Sequence, residues 1–408
     1  MRILVINTGS STVKYRIYDM NKEQTVATGL LERICSSNAR LSHTAWHADI
    51  ERQTVHERRV DEHRSALLWI LEVLKSDGHS LDRSSLDAIG HRIVHGGELF
   101  SKPMRIDDEV INQIDQLEPL APLHNPASLT AIKMVAETAP ELPQVAVFDT
   151  AFHQSLPPHA YRYAIPEQLY RDHRIRRYGF HGTSHQYIAE NAAAYLQRPL
   201  DSLSLITLHL GNGASATAIQ RGCSVDTSMG MTPLEGLVMG TRSGDIDPAI
   251  PYYLIRQGVE LKETERLLNH SSGLLGLTGT SDLREIETLA DAGNERACLA
   301  IDMMGYRLRK YIGAYLAILG QLDVLVFSGG IGEHSSKIRF EATKGLSHLG
   351  IKIDRQRNLD VKDDRISSIE HLGSEISILV VPTNEELAIA RQTKNLLTQV
   401  NHIDRHSG

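Results

Sequence analysis

The chain has 408 residues, of which 41% are hydrophobic and 23% charged, and its formal net charge at pH 7 is −7. These values are typical of a folded globular protein and exclude disorder as its main state, while the length favours two domains, each built alike. Because nucleic acids and anionic lipids attract basic surfaces, the acidic balance excludes a general affinity for either partner.

The cysteines and the N-terminal segment bear on the cellular compartment. Cys35, Cys223 and Cys298 are far apart and odd in number, so neither a disulfide framework nor a zinc site of paired cysteines is indicated. The apolar run of residues 3–6 before Asn7 is too short for a signal peptide, and no stretch approaches 18 apolar residues. We therefore expect a soluble, cytoplasmic protein that binds neither a membrane nor nucleic acid.

The first predicted element is a hairpin with a polar turn. Residues 2–6 (RILVI) predict a buried strand, and the alternation in residues 13–19 (VKYRIYD) predicts a half-buried one. The turn brings hydroxyls, backbone N–H groups and Lys14 together, which suits phosphate oxygens, although an ordinary Gly/Ser hairpin explains it as well. Because a strand and not a helix follows the turn, neither a dinucleotide fold nor a P-loop is indicated.

Two loops of the first half carry candidate functional residues. In GHRIVHGG, residues 90–97, Arg92 is suited either to bidentate binding of a carboxylate or phosphate or to pairing with a structural carboxylate. His124 lies between two prolines, either as a loop anchor or as a site residue. Residues 36–64 are polar and rich in histidine and predict a peripheral excursion of strands and loops.

The second half repeats the pattern of the first. Residues 203–220 (LSLITLHLGNGASATAIQ) again predict a strand, a glycine turn and a strand, which indicates an internal duplication. Residues 323–339 predict a strand followed by a helix that Ser335 or Ser336 caps. Since strands alternate with helical stretches such as residues 65–78 and 298–319, the fold class is α/β.

Three more stretches point to chemistry. In RRYGFHGTSH, residues 176–185, a histidine next to glycine is either a charge-stabilising group or a structural one. The glycine-rich residues 226–251 predict a long loop, and loops of this length in compact domains are usually functional. In VVPTNEELAIARQ, residues 380–392, Thr383 or Asn384 caps a helix whose first acidic residues either favour the helix dipole or bind Mg²⁺.

Taken together, these stretches resemble the signature blocks of the acetate kinase family, in the same order and over nearly the whole chain. The matching blocks are NTGSSTVKY, GHRIVHGG, LAPLHNP, VFDTAFH, RYGFHGTSH, HLGNGAS, DTSMGMTPLEGLVMGTRSGDIDP, SGGIGE and TNEELAIAR. The resemblance implies two duplicated actin-like (ribonuclease H-like) domains, residues 1–150 with 385–408 and residues 151–384, with a nucleotide cleft between them. It also implies a homodimer and reversible phosphoryl transfer between ATP and acetate, giving ADP and acetyl phosphate, with Mg²⁺ or alternatively Mn²⁺.

The resemblance further implies a role for each matching residue. The expected catalytic residues are Asp149, His181, Arg242, Arg92 and Asn212. The expected substrate-binding residues are Arg92, Val94, Leu123, His124, Phe180 and Pro233. The expected nucleotide-binding residues are Ser10, Thr12, Lys14, His209, Leu210, Gly211, Asn212, Gly213, Asp282, Leu283, Arg284, Gly330, Ile331, Gly332, Glu333 and His334. The expected metal-binding residues are Asn7 and Glu385. Thr12 and His334 depart from the family pattern, which usually has serine and asparagine there.

A carboxylic acid with a pKa near ~4 is ionised at pH 7, so no proton has to be removed from it. We therefore expect Asp149 to orient metal-bound water, an arginine or His181, and not to act as a base. Val94 favours acetate over propionate, because the position tends to be smaller in relatives that act on propionate. Two alternatives remain: a propionate or butyrate kinase of the same fold, and a nucleotide-gated binding protein that has lost phosphoryl transfer.

Overall fold

The structure, a computed structural model, describes residues 1–9, 11–47, 50–122 and 124–404. The strands are β1 Arg2–Thr8, β2 Thr12–Asp19, β3 Gln24–Glu32, β4 Ser36–His47, β5 Ile50–Val60, β6 Ala88–Ile93, β7 Met104–Arg105, β8 Gln144–Phe148, β9 Ser204–Leu210, β10 Ala214–Gln220, β11 Cys223–Thr227, β12 Val324–Ser328, β13 Ser367–Ser368 and β14 Ser377–Val380. The helices are α1 His63–Ser76, α2 Asp108–Gln116, α3 Asn125–Thr138, α4 Pro158–Tyr161, α5 Glu167–His173, α6 Gly182–Tyr195, α7 Ala249–Arg256, α8 Leu261–His270, α9 Gly273–Thr278, α10 Leu283–Asp291, α11 Glu295–Leu319, α12 Gly329–His334, α13 Ser336–Thr343, α14 Arg355–Leu359 and α15 Glu385–Asp404.

The chain divides into two compact units, each with its own sheet. The first unit is Met1–Ala151 with Asn384–Gly408, and the second is Phe152–Thr383. None of the described helices is long and apolar enough to cross a membrane.

The first unit is an eight-stranded sheet in the order β5-β4-β3-β2-β1-β6-β8-β7. Strands β1 to β5 pair antiparallel in sequence, whereas β6 and β8 run parallel to β1. Ile89 packs in an apolar cluster with Met134 and Val135 of α3, while a Cβ on the next residue, Gly90, would lie 2.6 Å from Thr393 of α15. Because neighbouring residues of a strand face opposite sides, helices cover both faces of this sheet.

The second unit is a six-stranded sheet in the order β11-β10-β9-β12-β14-β13. Its first three strands are antiparallel, and β12 and β14 run parallel to β9. The same sequence of pairings occurs in the first unit with β3-β2-β1-β6-β8, and in both units a two-residue strand closes the far edge in antiparallel orientation. The prediction of a duplicated α/β fold is therefore confirmed.

Candidate active site

Three predicted site residues of the first unit meet where parallel strands end. Asn7 lies near the end of β1, Arg92 near the end of β6, and Asp149 directly after β8. Arg92 Nε and Nη2 donate hydrogen bonds to the two carboxylate oxygens of Asp149, at 3.1 and 2.5 Å, and Nη1 donates to Asn7 Oδ1 at 3.1 Å. The bidentate contact fixes the plane of the guanidinium group, which is 19% exposed, against a carboxylate that is 2% exposed.

The surroundings of Arg92 favour its cationic form. Burial by itself lowers the pKa of Arg92, but the carboxylates of Asp149 and Glu385 raise it by more, so that the pKa lies above its ordinary value. Glu385 is half-buried in the first turn of α15, and burial raises its pKa although Arg92 and Lys14 oppose the shift. Asp149, Arg92 and Glu385 thus form an alternating row of negative, positive and negative groups.

The first turn of α15 is held by its predicted cap. Asn384 Oδ1 accepts a hydrogen bond from the backbone N–H of Leu387 at 3.0 Å and another from the hydroxyl of Tyr18 at 2.9 Å. Because Asn384 performs the capping, the Glu385 carboxylate is not used to cap the helix. Within the described part of the chain this carboxylate makes no hydrogen bond, which leaves its oxygens available to a ligand.

The oxygens near Arg92 fit a magnesium ion that binds few protein ligands. Asn7 offers an amide oxygen and Glu385 a carboxylate, and hard oxygens of this kind are what Mg²⁺ prefers. Among the described residues no group of three or more His, Cys, Asp or Glu side chains is arranged to hold a metal.

The predicted substrate residues of the first unit lie beside this strand edge. Val94 follows β6 and is 5% exposed. The next residue, His95, exchanges two hydrogen bonds with the Asn125 side chain: its N–H donates at 3.3 Å and its carbonyl accepts at 3.1 Å. His124, half-buried, directly precedes Asn125 and α3. These two hydrogen bonds therefore hold the segment that contains Val94 next to the segment that contains His124. Leu123 lies outside the described residues.

The predicted phosphate turn joins β1 and β2. The N–H of Gly9 donates to the carbonyl of Thr12 at 2.7 Å, which closes the turn, and Lys14 lies opposite Asn7 in the register of the two strands. The turn is therefore a hairpin, as expected, with Lys14 one strand away from Asn7. Ser10 lies outside the described residues.

The side chains of Arg242 and His181, both in the second unit, converge on its glycine hairpin. A Cβ placed on Gly213, between β9 and β10, would lie 3.4 Å from Arg242 Nη1 and 3.4 Å from His181 Nε2. The neighbouring Asn212 carbonyl accepts a hydrogen bond from the N–H of Gly240 at 2.9 Å, and its side chain packs on Gly240. Arg242, His181 and Asn212 therefore surround one small space above the turn.

The side chain of His181 is positioned by its backbone conformation and by neighbouring side chains. Its φ of +56° is left-handed, and the residue immediately precedes α6. His181 Nδ1 lies 2.8 Å from Ser215 Oγ. The His181 ring centroid lies 4.4 Å from that of His209, with the two rings tilted by 31°, and His209 Nδ1 lies 2.8 Å from Ser184 Oγ. Ser215 and His209 are register partners on β10 and β9, so the hairpin itself positions both contacts.

The remaining substrate candidates of the second unit lie close to these groups. The Pro233 carbonyl accepts a hydrogen bond from Arg242 Nη1 at 3.3 Å. Phe180 is 2% exposed, and its carbonyl accepts a hydrogen bond from His153 Nε2 at 3.0 Å. His153 is buried, which lowers its pKa to about 4, so the ring is neutral.

The long loop between β11 and α7 is tied down at two points. Arg177 Nη2 donates to Glu235 at 2.5 Å, and the Tyr163 hydroxyl donates to the same carboxylate at 2.6 Å. Farther along, Asp245 accepts a hydrogen bond from the Tyr311 hydroxyl on α11 at 2.9 Å. These anchors flank Arg242 on both sides and hold the loop in place.

A cavity of about 610 Å³ lies next to the glycine hairpin of the second unit. Predicted nucleotide residues from three separate segments line it. The lining residues are Gly211, Asn212, Ser281, Asp282, Leu283, Arg284, Glu287, Gly330, Ile331, His334 and Ser335. A cavity of this size and mixed lining suits a drug-sized ligand such as a nucleoside.

Two contacts between polar side chains shape the rim of this cavity. Asp282 caps α10 and accepts hydrogen bonds from Nε of Arg284 at 2.9 Å and from Nη2 at 2.5 Å, which lowers the pKa of Asp282 to about 2. His334 Nδ1 lies 3.2 Å from Asp363 Oδ1. Both pairs hold polar groups at the wall, where a base or ribose would meet them.

Some predicted nucleotide residues support the cavity from behind. The Glu333 carboxylate accepts hydrogen bonds from the N–H groups of Gly329 at 2.8 Å and Thr383 at 3.0 Å. Gly332 packs on Phe327, and Leu210 is fully buried. The side chains of Glu333 and Leu210 and the Gly332 backbone therefore face the fold, and none of the three lines the cavity.

Ser215, His185 and Thr207 contact His181 directly or through one another, although the sequence alone indicates no role for them. A signal for His185 exists, because positions four apart at the start of a helix share a face. The signal for the other two is the alternation of small polar residues along β9 and β10.

The comparisons with known proteins agree over nearly the whole chain. Residues 2–391 match the family model described as the acetokinase family. A protein named acetate kinase from Streptomyces avermitilis is 49% identical over 98% of this chain and 99% of its own length. The crystal structure of Porphyromonas gingivalis acetate kinase has a TM-score of 0.90 at 43% identity, covering 97% of this chain and 99% of that one. A structure titled propionate kinase, from Francisella tularensis, has a TM-score of 0.89 at 42% identity and the same coverage.

Proposed function

This chain belongs to the acetokinase family, and from that premise we propose that it transfers the γ-phosphoryl group reversibly between ATP and acetate, giving ADP and acetyl phosphate. The observation that carries the proposal is the order of groups along one hairpin. Gly211 and Asn212 line the 610 Å³ cavity, and the next residue, Gly213, faces Arg242 and His181. A nucleoside in the cavity would therefore extend its phosphates toward two cationic or hydrogen-bond-donating side chains.

The second unit supplies groups that stabilise a transferring phosphoryl group. Its charge spreads over three oxygens during transfer, and catalysis consists mainly of positioning and of neutralising that charge. Arg242 and His181 would donate hydrogen bonds to these oxygens, with the Asn212 amide beside them. Because these groups are already held by the loop and by the hairpin, little reorganisation is needed during the reaction.

The first unit supplies a fixed cation for the acetate carboxylate. Two N–H groups of Arg92 are held by Asp149, and the outer edge of the guanidinium group remains partly exposed. Acetate is already ionised at pH 7, so Asp149 has no proton to accept. Asp149 therefore acts by orienting Arg92, whose positive charge attracts the acetate carboxylate.

A divalent metal would complete the charge balance, and we propose Mg²⁺, with Mn²⁺ as a substitute. Asn7 and Glu385 are the residues that would hold or position it, directly or through water. When bound, the ion neutralises phosphate charge.

The acceptor is acetate in preference to larger acids. Val94 is branched and 5% exposed, so little space surrounds it. One extra methylene in such a pocket changes selectivity by about 1–3 kcal/mol, equivalent to roughly 10- to 200-fold. The similarity to a protein titled propionate kinase makes propionate the second candidate, which should react more slowly.

The experiment is a comparison of kcat/KM for acetate, propionate and butyrate with saturating MgATP. We expect the order acetate, propionate, butyrate, with at least tenfold between the first two. A higher kcat/KM for propionate than for acetate would make propionate the acceptor. ATP consumption that is equal with and without any carboxylic acid would favour the nucleotide-gated binding protein.

We also propose that the protein is cytoplasmic and acts as a homodimer. The dimer proposal is supported by large apolar side chains that are exposed on the second unit, at Tyr252, Tyr253, Leu261, Leu299 and Tyr306. Light scattering in solution would test it, and a mass of one chain, 45.4 kDa, would contradict it.

A further inference from the structure

The turn between β1 and β2 has a contact with α1 that the mechanism above does not use. His63, the first residue of α1, places Nε2 3.0 Å from the carbonyl oxygen of Gly9. The residue is half-buried and belongs to the polar, histidine-rich segment 36–64, to which the proposed function assigns no role. A carbonyl oxygen only accepts hydrogen bonds, so Nε2 carries a proton and donates it. A side chain of α1 therefore holds the turn that the sequence predicts to bind phosphate.

The start of α1 is itself well fixed, which gives His63 a defined position. The Glu62 N–H donates to Ser65 Oγ at 3.4 Å, and this hydroxyl donates to the Glu62 carbonyl at 2.8 Å. In the following turn Leu67 is buried in the apolar cluster that also contains Val13 of β2. Because α1 packs on the hairpin that carries the turn, the imidazole spans a short gap between two parts of one core.

The other contacts of the turn fix different atoms. The N–H of Gly9 donates to the Thr12 carbonyl at 2.7 Å, and the N–H of Ile34 donates to the Ser11 carbonyl at 3.0 Å. Among the described residues, His63 is the one hydrogen-bond partner of the Gly9 carbonyl. Loss of the imidazole would therefore release this end of the turn while the paired strands β1 and β2 stay intact.

We infer that His63 is a positioning residue, which holds the β1–β2 turn in the conformation that receives the nucleotide phosphates. Thr12 and Lys14, two of the expected nucleotide-binding residues, lie at and just after this turn. A turn that is already fixed loses little conformational entropy when a ligand binds, and the affinity rises accordingly. That the turn meets phosphate rests on the proposed function, whereas the contact between His63 and Gly9 does not.

The test is the substitution His63→Leu in the full-length protein, which removes the donor and keeps a side chain of similar size. Calorimetric titration measures the Kd for MgATP, and steady-state kinetics give the KM for ATP and for acetate. We expect the Kd and the KM for ATP to rise about 3- to 10-fold, the factor that one hydrogen bond contributes. The kcat and the KM for acetate should remain nearly unchanged. In His63→Gln the amide N–H₂ again reaches the Gly9 carbonyl, and should restore most of the affinity.

The matched control is His348→Leu, because His348 Nδ1 also lies 2.9 Å from a glycine carbonyl, that of Gly345, but at an exposed position of the second unit. This control should leave every constant unchanged.

The inference is overturned if folded His63→Leu binds MgATP as tightly as the unmodified protein, or if His63→Gln is weakened as much as His63→Leu. An equal rise of the KM for ATP and for acetate would overturn it as well, because a general loss of structure would then be the cause. If His63→Leu does not fold, His63→Asn, whose amide is too short to reach Gly9, serves the same test. Weaker MgATP binding with rescue by glutamine, in a protein that forms no acetyl phosphate, would uphold the role of His63 and overturn the proposed function. No MgATP binding by the unmodified protein would overturn both.

Discussion

Replacing Asp149 by asparagine tests whether this carboxylate acts by holding Arg92. The substitution keeps the shape but leaves one acceptor oxygen in place of two, and directs an amide N–H₂ at a guanidinium N–H. Breaking a fully buried ion pair costs about 3–5 kcal/mol. Because Arg92 is 19% exposed and keeps Glu385 nearby, we expect the free energy of unfolding of the first unit to fall by about 2–3 kcal/mol. A misplaced arginine should lower kcat by roughly 10²- to 10³-fold, as the loss of a transition-state donor does.

The assay combines steady-state formation of acetyl phosphate with urea unfolding. Asp115→Asn is the matched control, because Asp115 also pairs with a cation, Lys133 at 3.7 Å, but both side chains are more than half exposed. That control should change the unfolding free energy by less than about 1 kcal/mol and leave kcat unchanged. The reasoning is refuted if Asp149→Asn keeps kcat within about threefold of the unmodified enzyme. If kcat falls strongly while the KM for acetate stays the same, Arg92 still binds acetate normally. Asp149 would then have a role apart from Arg92.

Three further predictions concern the space above the hairpin, the metal and acid stability. Gly213→Ala should fold normally but lower kcat at least about tenfold, because the methyl would stand 3.4 Å from Arg242 Nη1 and His181 Nε2; an unchanged kcat would mean that no reacting group occupies this space. Glu385→Gln should raise the Mg²⁺ concentration for half-maximal activity by roughly 10- to 100-fold, while EDTA should abolish activity in both proteins; an unchanged Mg²⁺ requirement would remove Glu385 from the site. The pKa of buried His153 is lowered to about 4 from 6.5, so between these pH values the unfolded chain binds a proton that the folded chain does not. Acidification from pH 6.5 to 4 should therefore lower the unfolding free energy by up to about 3 kcal/mol through this residue alone. The prediction is contradicted if the urea midpoints of the unmodified protein and of His153→Gln change equally with pH.

Local patterns were sufficient to predict several elements. Both hairpins follow from an apolar run, a glycine turn and an alternating run. The caps Asn384 and Ser335 lie where short polar side chains precede a helix, and each accepts a backbone hydrogen bond at 3.0 Å. Within residues 36–64, where peripheral strands and loops were expected, Ser36–His47 and Ile50–Val60 form two long paired strands, because polar and charged side chains are tolerated along an exposed sheet edge.

The contacts within the candidate site could not be predicted in the same way. The pairing of Arg92 with Asp149 joins residues that are 57 positions apart, and it depends on β6 lying beside β8. The series of contacts from Thr207 to His181 likewise depends on the register of β9 and β10 with α6. Residue types alone do not identify such hydrogen-bond partners, since each hydroxyl or carboxylate has many possible partners until the order of the strands is known.

The most direct test of the account is the fate of the acetate oxygen. The purified protein is given MgATP and acetate labelled with ¹⁸O in the carboxylate, and the products are followed by ³¹P NMR. If the acetate carboxylate attacks the γ-phosphorus, acetyl phosphate accumulates with ¹⁸O in the bond to phosphorus, and its signal shows the isotope shift. Consumption of ATP that yields unlabelled inorganic phosphate alone, with no acetyl phosphate and, when hydroxylamine is added as a trap, neither acetohydroxamate nor ¹⁸O in the released phosphate, would contradict the account.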